Sequence, residues 1–334
     1  MADLGYVFRR IARMDFGRMF KVIGKCHDKS GRNRVSLFFD CIFTGLIYGA
    51  GYMDYYQFRM YDMKASEKKT VVTRGVNNTF VRKYNDKASI YKFDDKIKFN
   101  EIFNDYLNRD WMALTADNYE DFEQFCKDHH EIIVKPVSLS CGKGIEKIVT
   151  VEQDIKALYD RLFKGGQILI EEVADQHDDI NAVYPLSVNT LRIVTLGGIV
   201  VTALFRIGNG GNVVDNFNHG GMVTRIDIND GIVKWPAIDK DTNVYEIHPY
   251  TGHKIIGTRI PLWEESMNLC IEASRKVPEV GYIAWDVCVG KDKPCLIEGN
   301  DYPGYDLYQL PVHREGNMGL LPRFKEVISQ IESK

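Results

Sequence analysis

The chain has 334 residues, of which 45% are hydrophobic and 27% charged, with a formal net charge of −3. That length fits two or three packed subdomains rather than one small core, and the near-neutral balance excludes bulk nucleic-acid binding, which leaves a basic excess. Seven scattered cysteines with no CxxC pair exclude a structural zinc framework and read as reduced thiols in a cytosolic protein.

The first 34 residues carry nine Lys/Arg against three Asp. At helical spacing Val7, Phe8, Ile11, Ala12, Met19, Val22 and Ile23 share one side, and Arg9, Arg10, Arg13 and Lys21 the other. Residues 6–23 therefore either dock on their own domain with a solvated basic face or lie on an anionic membrane surface. The first residues lack the order of a secretory signal, so the expected location is cytoplasmic, with peripheral contact at the inner membrane face as the further option. The most apolar stretch, Leu37 to Tyr56, carries Asp40 and Asp54 and is broken by Gly45, Gly49 and Gly51, which predicts a buried helix and turn rather than a membrane span.

From about Thr70 the pattern turns to mixed strands and helices. Lys92 to Leu107 reads as helix, Glu131 to Val137 as a strand, then a Ser/Gly-rich turn and a second strand, Ile145 to Val151. Gln153 to Phe163 is an amphipathic helix closed by Gly165-Gly166, and Gln167 to Val173 is again a strand. Asn189 to Leu196 and Ile199 to Ile207 form a hairpin about Gly197-Gly198. Trp263 to Lys276 is helical, Tyr282 to Val289 and Pro294 to Asn300 form a second hairpin, and a helix begins near Leu320. Strands seldom alternate with helices in βαβ order, so the class is α+β. The expected organisation is a helical region 1–70 followed by subdomains 71–168 and 169–334.

Four places can carry chemistry. In the last hairpin Glu298 and Asn300 point to one face, because strand side chains alternate, and Asp286 on the preceding strand can come level with them. Two carboxylates and a carboxamide converging this way suit a hard cation such as Mg²⁺, or else form a polar face toward solvent. Lys135, inside an apolar strand, must snorkel or meet an anion. The turn after it contains Ser140, Gly142, Lys143 and Gly144, small residues that let backbone N–H groups approach phosphate, or that form a plain hairpin tip. The strand ending Glu171-Glu172-Val173 could present a carboxylate and backbone to an adenine edge, with Asp178 or Asp179 near a ribose, or be an exposed acidic turn. Asn189, Arg192 and Arg206 sit in neighbouring apolar strands, where arginines need a phosphate, a carboxylate or a structural ion pair.

The order of these pieces resembles the ATP-grasp family, closest to its branch associated with bacterial sugar transfer, over roughly residues 70 to 325. The most specific parts are Val188-Asn189-Thr190-Leu191-Arg192 and Glu298-Gly299-Asn300-Asp301-Tyr302-Pro303-Gly304. The resemblance implies an ATP-grasp fold in which two α+β subdomains clasp ATP, here with a helical N-terminal region in place of the usual Rossmann-like substrate domain. It implies ATP with two Mg²⁺ ions, for which Mn²⁺ can substitute, held by Asp286, Glu298 and Asn300. It places Lys135 and Lys96, or Lys98 in the other register, on the phosphates, with Arg192 and Arg206 on the γ-phosphate or an acyl phosphate. Residues 171–173 become the adenine hinge. The implied activity is a carboxylate–amine ligase working through an acyl phosphate on a small-molecule or sugar-linked substrate. The alternatives are a kinase for a sugar or polyol hydroxyl, using Asp215, His219 or Asp301 as base, and a nucleotide-binding scaffold without catalysis.

Overall fold

The computed structural model describes residues 15–137, 144–211 and 215–333, and the chain packs as two units, residues 1–83 with 304–334 and residues 84–303.

The first unit is helical. Helix α1 (Phe16–Ser30) starts at Asp15, whose side chain accepts from the Arg18 N–H at 2.9 Å, and stops at Gly31 in the left-handed conformation. Helix α2 (Arg34–Tyr48) is capped by Asn33, and α3 (Tyr52–Gln57), α4 (Ala65–Lys68) and α5 (Arg74–Tyr84) follow. The buried stripe of α1, Met19, Val22, Ile23 and Cys26, packs with Leu37 and Cys41 of α2 and with Tyr55 and Tyr61. Residues 16–23 are thus helical with the expected apolar side inward, while residues 6–14 of that segment lie outside the described residues. The stretch from Leu37 to Tyr56 is not buried as a whole. Helix α2 buries only Leu37, Cys41 and Thr44 and leaves Val35, Phe39, Phe43, Leu46 and Ile47 exposed, because its neighbours cover one stripe of a helix that is apolar on several sides.

The C-terminal segment joins this unit. Gln309 pairs with both backbone groups of Val72, accepting its N–H at 3.0 Å and donating to its carbonyl at 2.6 Å. Phe324, from the last helix (Leu321–Glu332), stacks on Phe80 at 5.0 Å. Helix therefore persists past Thr70, and among the described residues the first strand appears at Trp111. Among the described residues no helix is long and apolar enough to cross a membrane.

The second unit holds two antiparallel sheets. After α6 (Tyr91–Asp94) and α7 (Lys96–Leu107), strand β1 (Trp111–Ala113), helix α8 (Tyr119–Asp128), β2 (Glu131–Lys135), β3 (Glu146–Val149), α9 (Ile155–Gly165) and β4 (Leu169–Glu172) build a four-stranded sheet in the order β1-β4-β2-β3. Its core joins Phe122, Cys126, Leu158 and Leu162 of the helices to Ile132, Val134 and Ile170 of the strands. Helix α10 (Asp178–Val183) leads to β5 (Thr190–Leu196), β6 (Ile199–Ile207), β7 (Met222–Ile226), β8 (Ala237–Ile238) and β9 (Val244–Tyr245). Helix α11 (Trp263–Lys276) and the hairpin β10 (Tyr282–Val289) and β11 (Pro294–Asn300) complete a seven-stranded sheet ordered β11-β10-β5-β6-β7-β8-β9. At the β5–β6 turn Gly197 and Gly198 take φ of 56° and 74°, the pair of positive values a tight hairpin turn requires.

One face of the larger sheet is packed against α6, α7 and α11 through Phe93, Phe99, Phe103, Cys270 and Trp285. Gly299 faces this layer, and a Cβ there would meet the Phe93 ring at 2.8 Å and the Phe99 ring at 3.0 Å. The glycine lets β11 lie flat on those rings, and alternation turns Glu298 and Asn300 to the other face.

Candidate functional site

Two clusters of buried charge lie in the second unit. The first is on the smaller sheet. Lys135 ends β2 and Glu171 lies on the adjacent strand β4, and their side chains meet at 2.6 Å. Glu171 also accepts from Arg109 Nε at 3.1 Å and Asn100 Nδ2 at 2.9 Å. Burial pushes the Glu171 carboxyl up, but Arg109 and Lys135 outweigh it and hold the group well below the usual carboxylate range. The anion that Lys135 requires is thus Glu171. This corrects the reading in which the Glu171 carboxylate faces an adenine edge, since that carboxylate is occupied by three donors. Its backbone is paired as well, to β1 on one side and β2 on the other, so Val173 is the first residue past the ladder. Glu172 points the opposite way and accepts from the Asp110 N–H at 3.0 Å. Asn100 and Arg109 are absent from the sequence reading. The available signal for Asn100 was a polar residue between Phe99 and Phe103 in a helix whose apolar stripe is otherwise continuous.

The two candidate lysines of α7 separate. Lys98 is exposed and pairs with Glu101 at 2.6 Å. Lys96 has its pKa lowered by burial, and it lies in the fields of Glu298, Lys135 and Glu171, which belong to both sheets. Ser140, Gly142 and Lys143 lie outside the described residues. Gly144, the next position, has φ of 72° and its carbonyl accepts from Gln167 at 2.9 Å.

The second cluster crosses four strands of the larger sheet. Arg192 on β5 is directly opposite Asp286 on β10, and Asp286 opposite Glu298 on β11. Arg192 grips Asp286 with Nε and Nη2, both at 2.7 Å, in the forked geometry of a guanidinium on a carboxylate. Arg206 on β6 adds a contact to Asp286 at 2.7 Å and one to Asp215 at 2.9 Å. Burial raises the Asp286 carboxyl, yet the two arginines bring it down to about 2. Burial and the adjacent Asp286 charge push the Glu298 carboxyl above the ordinary value. Arg192 and Arg206 also lower it, but not enough to offset what raises it. The Asn300 amide lies 3.5 Å from Glu298.

The donor set tests whether a divalent cation fits. Two carboxylates share one face with a carboxamide, and one of them is raised by burial and by the other's charge despite the nearby arginines. Three carboxylates, Asp215, Asp286 and Glu298, lie with Arg192 and Arg206, and the Lys96 ammonium is in the field of Glu298. Such an oxygen-rich, electron-rich corner fits Mg²⁺ or Mn²⁺. The arginines expected to meet phosphate are found on Asp286, so predicted metal ligand and predicted phosphate ligands are here each other's partners. Asn189 has a structural part: it donates to the Tyr184 carbonyl at 2.7 Å and accepts from the Gly208 N–H at 2.9 Å.

Of the other expected groups, only Asp215 belongs to these clusters. Asp178 and Asp179 are exposed at the start of α10. His219 is exposed, and Asp215 is buried and accepts from the Thr190 N–H at 3.0 Å besides Arg206, which removes it as a free base. Asp110, His129 and Glu172 bring ligand atoms within 4.8 Å of one another. Both His129 ring nitrogens face an acid, Asp110 at 3.2 Å and Glu172 at 3.9 Å, which describes an imidazole held between two carboxylates.

The model of the sugar-transfer associated ATP-grasp family matches residues 75–328. Among solved structures the chain is similar to the ATP-grasp ligase PsnB complexed with a minimal precursor, at 13% identity and a TM-score of 0.45, with 74% of this chain and 64% of that one covered. The chain thus spans less than two thirds of that ligase. It is also similar to a D-alanine–D-alanine ligase from Bacillus anthracis, at 13% identity and a TM-score of 0.45, covering 76% of this chain and 74% of that one. A third similar structure is the D-cycloserine synthetase DcsG, at 11% identity and a TM-score of 0.44, covering 73% of each chain. No curated protein matches the sequence.

Proposed function

The chain belongs to the sugar-transfer associated ATP-grasp family, and from that premise we propose that it is an ATP-dependent carboxylate–amine ligase. One observation carries the reading: a buried sheet face that opposes Asp286, Glu298 and Asn300 to Arg192 and Arg206, with Lys96 in the field of both charge clusters. In this reading Lys96 and Lys135 hold the phosphates, Val173 and the backbone after it meet the adenine, and Asp286, Glu298 and Asn300 hold two Mg²⁺ ions. Magnesium held there would supply positive charge to neutralise the phosphates. Arg192 and Arg206 turn from Asp286 toward the transferring phosphoryl group, where charge develops.

A substrate carboxylate oxygen attacks the γ-phosphorus, the bond to the bridging oxygen breaks, and ADP leaves. An amine then attacks the acyl carbon, phosphate departs, and the amine loses its proton to give an amide. A carboxylate is already ionised, so no dedicated base is required. The substrate class is a small-molecule or sugar-linked acid. Residues 6–23, with their basic side, would place the enzyme peripherally at the inner membrane face.

A kinase is the second reading, favoured by Asp301, whose carboxyl is raised by burial and by Asp94, as a base working near neutrality requires. Incubation with ATP, magnesium, hydroxylamine and a panel of amino acids and uronic acids decides between them. The ligase yields a hydroxamate and ADP that depend on the acid. A stable phosphomonoester formed without amine or hydroxamate establishes the kinase instead.

A further inference from the structure

The outward side of α2 is apolar where a helix on a soluble surface is usually polar. Val35, Phe39, Phe43 and Ile47 are 63%, 54%, 58% and 67% exposed, and they recur at four-residue steps along one helix face. Phe20 of α1 extends the patch, stacking on Phe38 with ring centroids 5.5 Å apart. The polar group bordering the face, Asp40, is turned to Lys68 and Tyr55 at 2.6 Å each. A contiguous apolar face of this kind marks an interaction surface.

Charge identifies the occupant. The whole chain carries −3, yet residues 15–34 hold six Lys/Arg against two Asp. On the flank of α1 away from Phe16 and Phe20, Arg18, Lys21 and Lys25 line a cleft of about 580 Å³. Lipid supplies both complements at once, acyl chains for the phenylalanines and anionic headgroups for the lysines and arginine. At 15 residues, α2 reaches about 22 Å, too short to span a bilayer, so it lies along the surface.

We propose that the exposed face of α2, with Phe20 and the basic flank of α1, is a docking surface for an anionic lipid bilayer. The inference deepens the peripheral-membrane part of the proposed function and rests on it, but it places the apolar contact on α2 rather than on residues 6–23 alone.

The test is cosedimentation of the full chain with vesicles of phosphatidylglycerol and phosphatidylcholine in equal parts, and with phosphatidylcholine vesicles. The wild type is expected to bind the anionic vesicles and to bind the neutral ones weakly. Phe39→Ser with Phe43→Ser lowers partitioning about tenfold or more, and Lys21→Glu with Lys25→Glu lowers it on the anionic vesicles, both with ATP turnover unchanged. Wild-type binding that survives the phenylalanine changes but is lost on Arg9→Glu, Arg10→Glu and Arg13→Glu overturns the inference and leaves the role of residues 6–23 standing. Failure of the wild type to bind either vesicle removes both. A dimer in solution that Phe39→Ser with Phe43→Ser dissociates, with no vesicle binding, overturns it in favour of a second copy.

Discussion

The two charge clusters of residues 84–303 are built from the same materials and end in opposite conditions. Around Glu171, two cations and an amide surround one carboxylate, every oxygen is engaged, and the carboxyl is held low. Around Asp286 two guanidiniums bring that carboxyl down, whereas at Glu298 burial and the neighbouring Asp286 outweigh the same arginines and the carboxyl is raised. A saturated buried pair mainly maintains structure, and breaking it leaves an uncompensated charge. An unsaturated one is held in place by its surroundings and is ready for a ligand of the missing sign. The first cluster fixes β2 and β4, which carry Lys135 and lead into the proposed hinge; the second is where a cation would improve the electrostatics.

Glu298→Gln breaks that contrast most severely. Steady-state ATP turnover should fall about 10²–10³-fold, in the range seen when one preorganised electrostatic group is removed. The thermal midpoint should hold or rise, since the change removes a carboxylate whose ionisation is disfavoured in the fold. Unfolding by this variant would show that the second cluster is structural too. Glu171→Gln should do the reverse, costing about 3–5 kcal/mol in urea unfolding.

Acid sharpens the same point. The Glu171 carboxyl is depressed in the fold, so its contribution is fully present above the unfolded value of about 4.3. It is lost only as pH falls through the lower folded value. The stability gap between wild type and Glu171→Gln should therefore be constant from neutrality to about pH 5 and shrink below it. The smallest expected effect separates the two lysines of α7. Lys96→Met should raise the KM for ATP about tenfold, the scale of one charge-assisted hydrogen bond, while Lys98→Met, which loses only an exposed pair with Glu101, should leave it unchanged.

Much of the second unit was legible in the sequence. The limits of α11, β10 and β11 agree with those read from periodicity, because long apolar runs bounded by turn residues leave little choice. The arginine strands were legible as arginines in need of an anion, though not which anion, since Asp286 lies 94 residues from Arg192 and pairing across strands has no local mark. Lys96 and Lys98 share the first turn of one helix, and only the packing of α7 decides which faces inward. Strand β1 is three residues long, below what alternation can reveal. Arg109 carries no local mark in the sequence, because its partner Glu171 reaches it only through β4. On α2 the reading failed for a different reason: periodicity reports that a helix is apolar, and the neighbours decide which of its sides is covered. The return of Gln309 to Val72 across 237 residues likewise depends on tertiary packing alone.

We propose that Asp286, Glu298 and Asn300 at the β10–β11 hairpin form a metal site. The most direct measurement is anomalous scattering from crystals of the full chain grown with Mn²⁺ and a non-hydrolysable ATP analogue. The account predicts manganese peaks at about 2.1–2.2 Å from oxygens of Asp286, Glu298 and Asn300, absent in Glu298→Gln. Manganese at Asp110, His129 and Glu172 alone, or peaks at the hairpin that persist in the variant, would contradict it.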